Sequence, residues 1–393
     1  MKKLNKLQQL SFIIRREYWA ISTSYAVLLV LMGGIFVYGL LYNYMYAPNI
    51  VTDVPVAVVD NSHSELSRNF IRWLDATPQA EIYDQAMDYH EAKEWMKAGK
   101  VQGILYLPHD FEERVFRGDE AVFSLYATTD AFLYFEALQG ASSRVMLAIN
   151  DKYRPDGAVF LPPQGLLAVA MAKPVNVAGT ALYNYTEGYG SYLIPAVMVI
   201  IIFQTLLMVI GMLTGEEHMT KGILAYTPFG KSWAVAIRIV AGKTFVYCSL
   251  YAVFSFFLLG LLPHFFSIPG RIPNIGNGLY IVLMMIPYLL ATSFLGLAAS
   301  RYFTDSEAPL LMIAFFSVGL IFLSGVSYPM ELMPWYWKAA HYIFPAAPAT
   351  LAFVKLNSMG ASMADIQLEY ITLWIQVIVY FALSIWVYKR KLS

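Results

Sequence analysis

The stretch SYLIPAVMVIIIFQTLLMVIGML, Ser191–Leu213, contains no charged side chain. About 20 consecutive apolar residues are enough to cross a bilayer as an α-helix, and a helix satisfies its backbone hydrogen-bonding groups without water. The polar segment GEEHMTKGILAYTPFGK begins at Gly215, and another apolar run starts near Val235. The pattern therefore predicts two membrane spans joined by a short charged loop.

The composition places the whole chain in the same class as this stretch. Hydrophobic residues make up 58% of the sequence and charged residues only 14%, which is far more apolar than a soluble domain and typical of a multi-span membrane protein. The formal net charge is zero, which argues against nucleic acid as a partner because phosphate binding needs a concentrated basic surface. The single cysteine, Cys248, cannot form an intrachain disulfide.

Six apolar runs predict six transmembrane helices, at about 22–44, 191–213, 235–262, 279–299, 309–327 and 371–388. An even number of spans puts both termini on the same side. Basic residues cluster next to the first and last spans: Lys2, Lys3, Lys6, Arg15, Arg16, Lys389, Arg390 and Lys391. Because basic flanks favour the cytoplasm, we predict a multi-pass protein of the cell (inner) membrane with both termini cytoplasmic.

The amino-terminal segment, residues 1–19, predicts an amphipathic helix that lies in the cytoplasmic interface before the first transmembrane helix at 20–44. Leu4, Leu7 and Leu10 recur at a spacing of three, which is typical of one apolar helix face. Charged residues occupy positions outside this apolar face. The candidate functional residues of the helix are Arg15, Arg16 and Glu17. A basic flank with no helix of its own is the alternative.

Residues 45–190 form a polar region long enough to be a separate domain. Apolar strands at 54–59, 81–83, 101–108 and 121–128 alternate with helical patterns at 66–74, 85–97 and 109–118, and a longer helix is predicted at about 131–151. Such alternation indicates a small α/β domain with a partly parallel sheet. The predicted fold is a six-helix polytopic membrane protein with an extracytoplasmic α/β domain inserted between its first and second transmembrane helices.

Several segments, taken in order, resemble the ABC-2 type permeases, the membrane subunits of ATP-driven exporters of drugs, lipids or polysaccharides. The outer region carries VPVAVVDNSHSELSRNFIRWL and GKVQGILYLPHDFEERVFRG. The loop after the second span, GEEHMTKGILAYTPFGKSWAVAIRIVAGK, and the later segment FLSGVSYPMELMPWYWKAAHYIFPAAPATLAFVKL are similar to the corresponding permease segments. The resemblance covers nearly the whole chain.

The loop at 214–232 is the candidate coupling segment within the five-helix region at 191–393. Ions this close to a span need water or a protein partner, and a short helix is predicted at 220–225, ended by Thr227 and Pro228. The resemblance implies that this loop docks on a cytoplasmic ATPase, with the candidate contacts Glu216, Glu217, His218, Thr220 and Lys221. The alternative is a solvated loop whose charges only fix the topology.

The outer segment at 328–366 is too apolar for an ordinary water-exposed loop and is broken by prolines. It predicts short helices that enter the outer leaflet and return, and its candidate residues are Pro329, Pro334, Trp335 and Pro345. The resemblance implies that such a re-entrant segment shapes the outer mouth of a transport pathway. Interfacial anchoring without a transport role is the alternative, because tryptophan favours membrane boundaries.

No nucleotide-binding, catalytic or metal-binding motif is recognisable in the sequence. Gly242, Lys243 and Thr244 match the last three residues of a phosphate-binding loop. The upstream glycine of that motif is absent, however, and the segment enters a span. The six histidines show no HExxH spacing. We therefore predict no cofactor in this chain and no enzyme activity, with ATP and Mg bound by a partner ATPase.

Two functions remain open from the sequence. The first is the permease subunit of an exporter that works as a dimer, with cargo that is hydrophobic or amphiphilic because the spans offer almost no acidic residues for ion coupling. The resemblance implies as partners an ABC ATPase, a second permease that is identical or a paralogue, the lipid membrane and, in a complete route, a periplasmic adaptor and an outer-membrane channel. The second function is a membrane-anchored binding or assembly protein without transport activity.

Overall fold

The computed structural model describes residues 5–46, 50–117, 121–128, 132–152, 188–266 and 275–392. The chain divides into two compact units, one formed by Met1–Asn49 with Ala181–Ser393 and the other by Ile50–Thr180. The first unit is helical, and the second contains a small mixed sheet. This division agrees with the predicted insertion of a separate domain between the first two apolar runs.

Five helices of the first unit are long and apolar enough to span a membrane. They are α2 (Tyr25–Met45), α7 (Tyr189–Met219), α8 (Trp233–Phe265), α9 (Gly278–Ala299) and α13 (Gln367–Leu392). Each contains one of the predicted spans or nearly coincides with it. Helix α7 has 31 residues and is the most deeply buried of the five, so the stretch that predicted a membrane protein lies at the centre of the helical unit.

The run predicted as the fifth span, 309–327, is shorter in the structure. It forms α10 (Ala308–Leu323), which has 16 residues and a length of about 24 Å, whereas a bilayer core is about 30 Å thick. The helix ends at Ser324, and Gly325 then adopts a φ of 82°, a left-handed conformation that favours glycine. The described residues therefore contain five candidate spans rather than six.

The amino-terminal helix α1 (Lys6–Thr23) confirms the helical pattern and extends four residues past the predicted end. Asn5 caps its first turn, and the chain is extended at Ser24, which separates α1 from α2. Helix α1 packs against α8. A Cβ atom on Gly242 would lie only 2.8 Å from Cγ2 of Ile13, so this glycine allows the two helices to cross closely.

The second unit is built on a four-stranded sheet in the order β2-β1-β3-β4. Its strands are β1 (Val54–Asp60), β2 (Ala80–Gln85), β3 (Gly103–Leu107) and β4 (Ser124–Ala127). Strand β1 is parallel to both β2 and β3, and β4 is antiparallel to β3. The partly parallel sheet predicted from the alternating pattern is confirmed.

Helices cover both faces of this sheet. They are α3 (Glu65–Asp75), α4 (Tyr89–Lys97), α5 (Phe111–Arg117) and α6 (Phe132–Lys152). Val56 and Val58 of β1 pack into the cluster that contains residues of α3 and α6, whereas Ala57 and Val59 face the cluster that contains Ala92 of α4. Alternate residues thus point to opposite faces, as a strand requires. Both faces of β1 are consequently buried.

One helix of this unit begins later than predicted. The expected helix at 85–97 starts only at Tyr89, because Gln85 completes strand β2 and Asp88 is the N-cap. The side chain of Asp88 accepts a hydrogen bond from the backbone N–H of Glu91, which satisfies one of the free donors at the start of the helix. The boundary is therefore set by the capping side chain.

Two shorter helices complete the first unit between α10 and α13. They are α11 (Trp335–His341) and α12 (Ala346–Ser358). Helix α12 packs against α7, α9 and α13, and most of its side chains are buried. The predicted break-up of the segment 328–366 into short helices is thus present.

Candidate functional site

Four ionic side chains from three helices meet at one end of the helical unit. They are Arg16 and Glu17 of α1, Glu217 near the end of α7, and Lys243 of α8. We call this group the ionic cluster. It contains two positive and two negative groups, so its formal charges balance. It joins the amino-terminal helix to the loop between the second and third predicted spans.

Lys243 lies at the centre of the ionic cluster. Its Nζ atom is 2.8 Å from Oε2 and 3.1 Å from Oε1 of Glu17, and 3.3 Å from Oε2 of Glu217. The hydroxyl of Tyr247 also donates to Glu17. The exposed fraction is 2% for Lys243 and 3% for Glu17. Because desolvation of isolated charges is very costly, each of these ions depends on its partners.

Arg16 attaches the loop to helix α1. Its Nη2 donates to the carbonyl oxygen of Gly222 over 2.8 Å, and its Nη1 lies 3.5 Å from Oε1 of Glu217. The guanidinium also lies over the ring of Tyr226, 4.6 Å from the centroid. A Cβ atom on Gly222 would lie 2.7 Å from the same Nη2. The arginine therefore holds the loop through an ion pair, a backbone hydrogen bond and an aromatic ring.

Tyr226 is the fully buried side chain of the loop. Burial raises the pKa of its hydroxyl to about 12. That hydroxyl has no hydrogen-bond partner within the part of the chain that the structure describes. The aromatic ring, rather than the hydroxyl, is thus what fastens this part of the loop to Arg16.

The loop itself is a 3₁₀-helix, Gly222–Phe229, and not the predicted short helix at 220–225. Helix α7 ends at Met219, and Lys221, which precedes the 3₁₀-helix, has a φ of 52°, a left-handed conformation. The 3₁₀-helix continues past Thr227 and includes Pro228, the residues expected to end it, and Gly230 closes it with a φ of 96°. Proline fits because its fixed φ lies in the helical range.

The five predicted coupling residues separate onto two faces of the loop. Glu217 is buried in the ionic cluster. The other four side chains are exposed: Glu216, His218, Thr220 and Lys221. Glu217 thus contacts Arg16 of α1 and Lys243 of α8, whereas the other four side chains face outward.

The predicted residues of the interface helix also separate. Arg15 is exposed, Arg16 is half-buried and Glu17 is buried. Sequence reasoning missed Lys243, Tyr247 and Tyr226 as members of the same site. A signal for Lys243 was present, because a lysine at the start of an apolar span requires a partner. No sequence pattern indicated that Glu17, more than 200 residues earlier, would be that partner.

The outer segment is tied to the last helix by partly buried polar contacts. Nε2 of Gln376 donates to the carbonyl oxygen of Tyr342 over 2.8 Å, and Lys355 forms an ion pair with Glu369 at 2.6 Å. The predicted residues Pro329, Pro334 and Trp335 are exposed, whereas Pro345 is buried at the start of α12. Pro345 therefore has a packing role, and the other three lie at the surface of the helical unit.

His341, at the end of α11, is buried in this outer segment. Its Nδ1 lies 2.7 Å from the carbonyl oxygen of Leu323, so this nitrogen carries the proton and donates. Burial lowers the pKa of the imidazole below its ordinary value of 6.5, although the Leu323 carbonyl and the Glu369 carboxylate oppose the shift. The neutral ring is thus the form that the folded protein favours.

Acidification is expected to destabilise the protein through His341. Below about pH 6.5 the unfolded chain takes up a proton that the folded chain resists, so the free energy of unfolding falls by about 1.4 kcal/mol for each unit of pKa depression. The thermal unfolding midpoint of the purified protein should therefore fall between about pH 7.5 and about pH 5.5. His341→Gln should reduce this dependence, and an unchanged pH profile would contradict the assignment.

A groove in the helical unit lies between α2, α7 and α10. The cavity is about 510 Å³, and it is lined mainly by apolar side chains together with Gln204 and Thr205. Within α2, residues 32–37 form a π-helical turn. A Cβ atom on Gly34 would lie 2.4 Å from Cγ2 of Thr205, so this glycine brings α2 close to α7. We call this cavity the α2–α7–α10 groove.

The described residues contain no group of three or more His, Cys, Asp or Glu side chains that could hold a metal ion. A protein-family model described as "ABC-2 family transporter protein" matches residues 20–386. No curated protein and no solved structure matches the chain. The family match covers four of the five candidate spans in full and α13 up to residue 386. It includes Glu217 and Lys243 of the ionic cluster, whereas Arg16 and Glu17 precede it.

Proposed function

The chain belongs to the ABC-2 family of transporter membrane proteins, and from this premise we propose that it couples ATP hydrolysis by a separate subunit to export across the membrane. Permeases of this family are membrane components of the transporter. The observation that carries the proposal is the ionic cluster, because it fastens the loop after α7 to both α1 and α8. A force applied to the loop would therefore move several helices together.

In the proposed mechanism the two faces of the loop have different tasks. The exposed residues Glu216, His218 and Lys221 contact the ATPase subunit, which binds ATP and Mg. The buried residues Glu217 and Tyr226 transmit the displacement through Arg16 to helix α1. Buried ion pairs suit this task, because separating them in a low-dielectric environment costs much more than separating exposed pairs. The loop and α1 would thus move as one body.

The proposed topology has six crossings with both termini in the cytoplasm and the α/β domain outside the cell membrane. Helix α10 is the fifth crossing, and its 16 residues cross a locally thinned bilayer or are extended by the following turn. Basic residues near the first and last spans support the orientation. The interface helix, the coupling loop and the ATPase would then all lie on the inner face.

The proposed transporter contains two permeases, identical or paralogous. Helix α10 presents a strongly exposed apolar face, with Leu311, Phe315 and Phe316 exposed by 72%, 83% and 57%. In a bilayer an apolar face packs against lipid tails or against a second helix bundle, and we assign this face to the second permease. The α2–α7–α10 groove lies beside this face. Pairing of two permeases there would enclose a pathway lined mainly by apolar side chains.

Hydrophobic or amphiphilic cargo, such as a drug, lipid or glycan with a lipid part, fits this pathway best. The polar groups of its lining are the side chains of Gln204 and Thr205 and the hydroxyls of Tyr38 and Tyr42, and it has no charged side chain. The outer segment, with Pro329, Pro334 and Trp335 at its surface, would form the outer mouth. A periplasmic adaptor and an outer-membrane channel complete the route if the cargo leaves the cell through a second membrane.

Charge reversal at Glu216 tests the coupling assignment. We expect Glu216→Arg to reduce co-purification of the ATPase from native membranes by at least about tenfold, because a reversed charge at a charged interface costs several kcal/mol. The ATPase and any second permease are identified by mass spectrometry of the wild-type complex. Glu216 is preferred to Glu217, since a third positive group in the ionic cluster would disturb folding as well as coupling.

The matched control is Glu331→Arg, which reverses an exposed glutamate of the outer segment. This variant should retain the ATPase and insert normally. Equal retention of the ATPase by both variants would count against a docking role for the loop. A wild-type protein that purifies with no ATPase would instead favour a membrane-anchored binding protein.

A further inference from the structure

A second groove opens on the side of the helical unit between α8 and α9. Its cavity is about 650 Å³. Its floor is formed by buried side chains, among them Leu259, Met285 and Leu289, whereas Phe256 and Val282 at its rim are exposed. One wall contains a π-helical turn at residues 256–261, a feature that is frequent at functional sites. We call this cavity the α8–α9 groove.

The groove has three polar side chains in its lining, Cys248, Ser249 and Ser255. The Sγ of Cys248 lies 3.6 Å from the hydroxyl of Ser293. The hydroxyl of Ser249 donates to the carbonyl oxygen of Val246 over 2.8 Å. Cys248 and Ser249 therefore already have partners within the protein.

Ser255 differs from these two residues. Only 5% of it is exposed, and its hydroxyl has no hydrogen-bond partner among the described residues. A buried hydroxyl without a partner is costly, and a ligand that supplies one recovers this free energy. The unpaired hydroxyl thus marks the wall of the groove at which a polar group of a ligand is expected.

We propose that the α8–α9 groove binds a membrane amphiphile, namely an aliphatic chain that carries a hydroxyl or carbonyl group part-way along its length. The walls of the groove are two candidate spans. The groove therefore opens onto the hydrocarbon core of the bilayer, whose molecules carry long apolar chains. The lining has no charged side chain, which excludes an ionic group deep in the groove. The site is separate from the α2–α7–α10 groove and does not depend on the proposed coupling mechanism.

Photo-crosslinking of the full-length protein in lipid nanodiscs tests this site. The probe is stearic acid with a terminal diazirine, and the competitors are stearic acid and a stearic acid hydroxylated at mid-chain. We expect labelled peptides within 245–260 and 278–290. The hydroxylated acid should compete about fivefold better, the effect of one ordinary hydrogen bond.

Three variants separate specific binding from general contact with lipid. Ala252→Phe should abolish the labelling, because Ala252 lines the groove. Val253→Phe is the control, because the adjacent Val253 is 65% exposed on the same helix and does not line the groove. Ser255→Ala should remove the preference for the hydroxylated acid while preserving labelling and folding, since it adds no volume.

Two results would overturn the proposal. Labelling that spreads over all lipid-facing helices and is unaffected by Ala252→Phe would indicate bulk lipid contact only. Equal competition by the two acids in the wild-type protein would exclude Ser255 as the polar contact. If Ala252→Phe does not fold, the comparison of wild type with Ser255→Ala still decides the outcome.

Discussion

Lys243→Met is expected to destabilise the helical unit by about 3–5 kcal/mol. The substitution keeps most of the side-chain volume but removes the positive charge that lies between Glu17 and Glu217. Both carboxylates are buried, so Glu17 is left without an ionic partner and Glu217 keeps only Arg16. The midpoint of thermal unfolding of the purified protein measures the effect.

Two comparisons make this result specific. Lys97→Met removes an ion pair with Glu94 whose partners are 60% and 53% exposed, and it should cost no more than about 1 kcal/mol. Adding Glu17→Gln to Lys243→Met removes the stranded charge and should restore part of the lost stability. If Lys243→Met were as stable as Lys97→Met, the ionic cluster would not be the link between α1 and α8.

Gly215→Ala should be the most disruptive single methyl addition near the coupling loop. A Cβ atom there would lie 1.9 Å from the carbonyl oxygen of Asp305 and 3.1 Å from the backbone nitrogen of Ser306. Backbone atoms cannot move aside like a flexible side chain, so we expect a loss of about 3 kcal/mol or a displaced loop before α10. Thermal unfolding and export of cargo would both report the change.

The same glycine connects the coupling loop to the proposed pathway. The Asp305 side chain accepts hydrogen bonds from the backbone N–H groups of Glu307 and Ala308 at the start of α10. Displacing Asp305 should therefore disturb α10 as well as the end of α7. Gly33→Ala is the control, because nothing lies within 4 Å of the added atom, and its stability should be unchanged or slightly higher. Equal stability of the two variants would contradict the close approach.

Local sequence patterns predicted many of the elements well. The helix predicted at 131–151 is Phe132–Lys152, and the strand predicted at 54–59 is Val54–Asp60. The strand follows from a short continuous apolar run that ends at a polar turn, which is typical of a strand buried on both faces. The end of α10 was less predictable, because residues 324–327 carry no charge that would mark the end of a span, and the turn at Gly325 sets the limit.

The candidate site was predictable only in outline. The sequence located the charged loop and the basic amino-terminal helix, and it named Arg16, Glu17 and Glu217 among the candidates. It considered Lys243 as part of an incomplete phosphate-binding motif. The missing information was the crossing of α1 over α8, which Gly242 permits. No local pattern encodes a contact between residues so far apart in the chain.

The sequence by itself determined that this protein is a bundle of membrane helices with an inserted α/β domain, because apolar runs of sufficient length and a strand-helix alternation leave few other folds. Tertiary structure alone decided which of two adjacent glutamates is buried. Glu216 and Glu217 have the same chemistry and the same distance from the span. Glu217 faces Arg16 and Lys243, whereas Glu216 faces outward, because helix packing fixes which side chain meets the opposite charge.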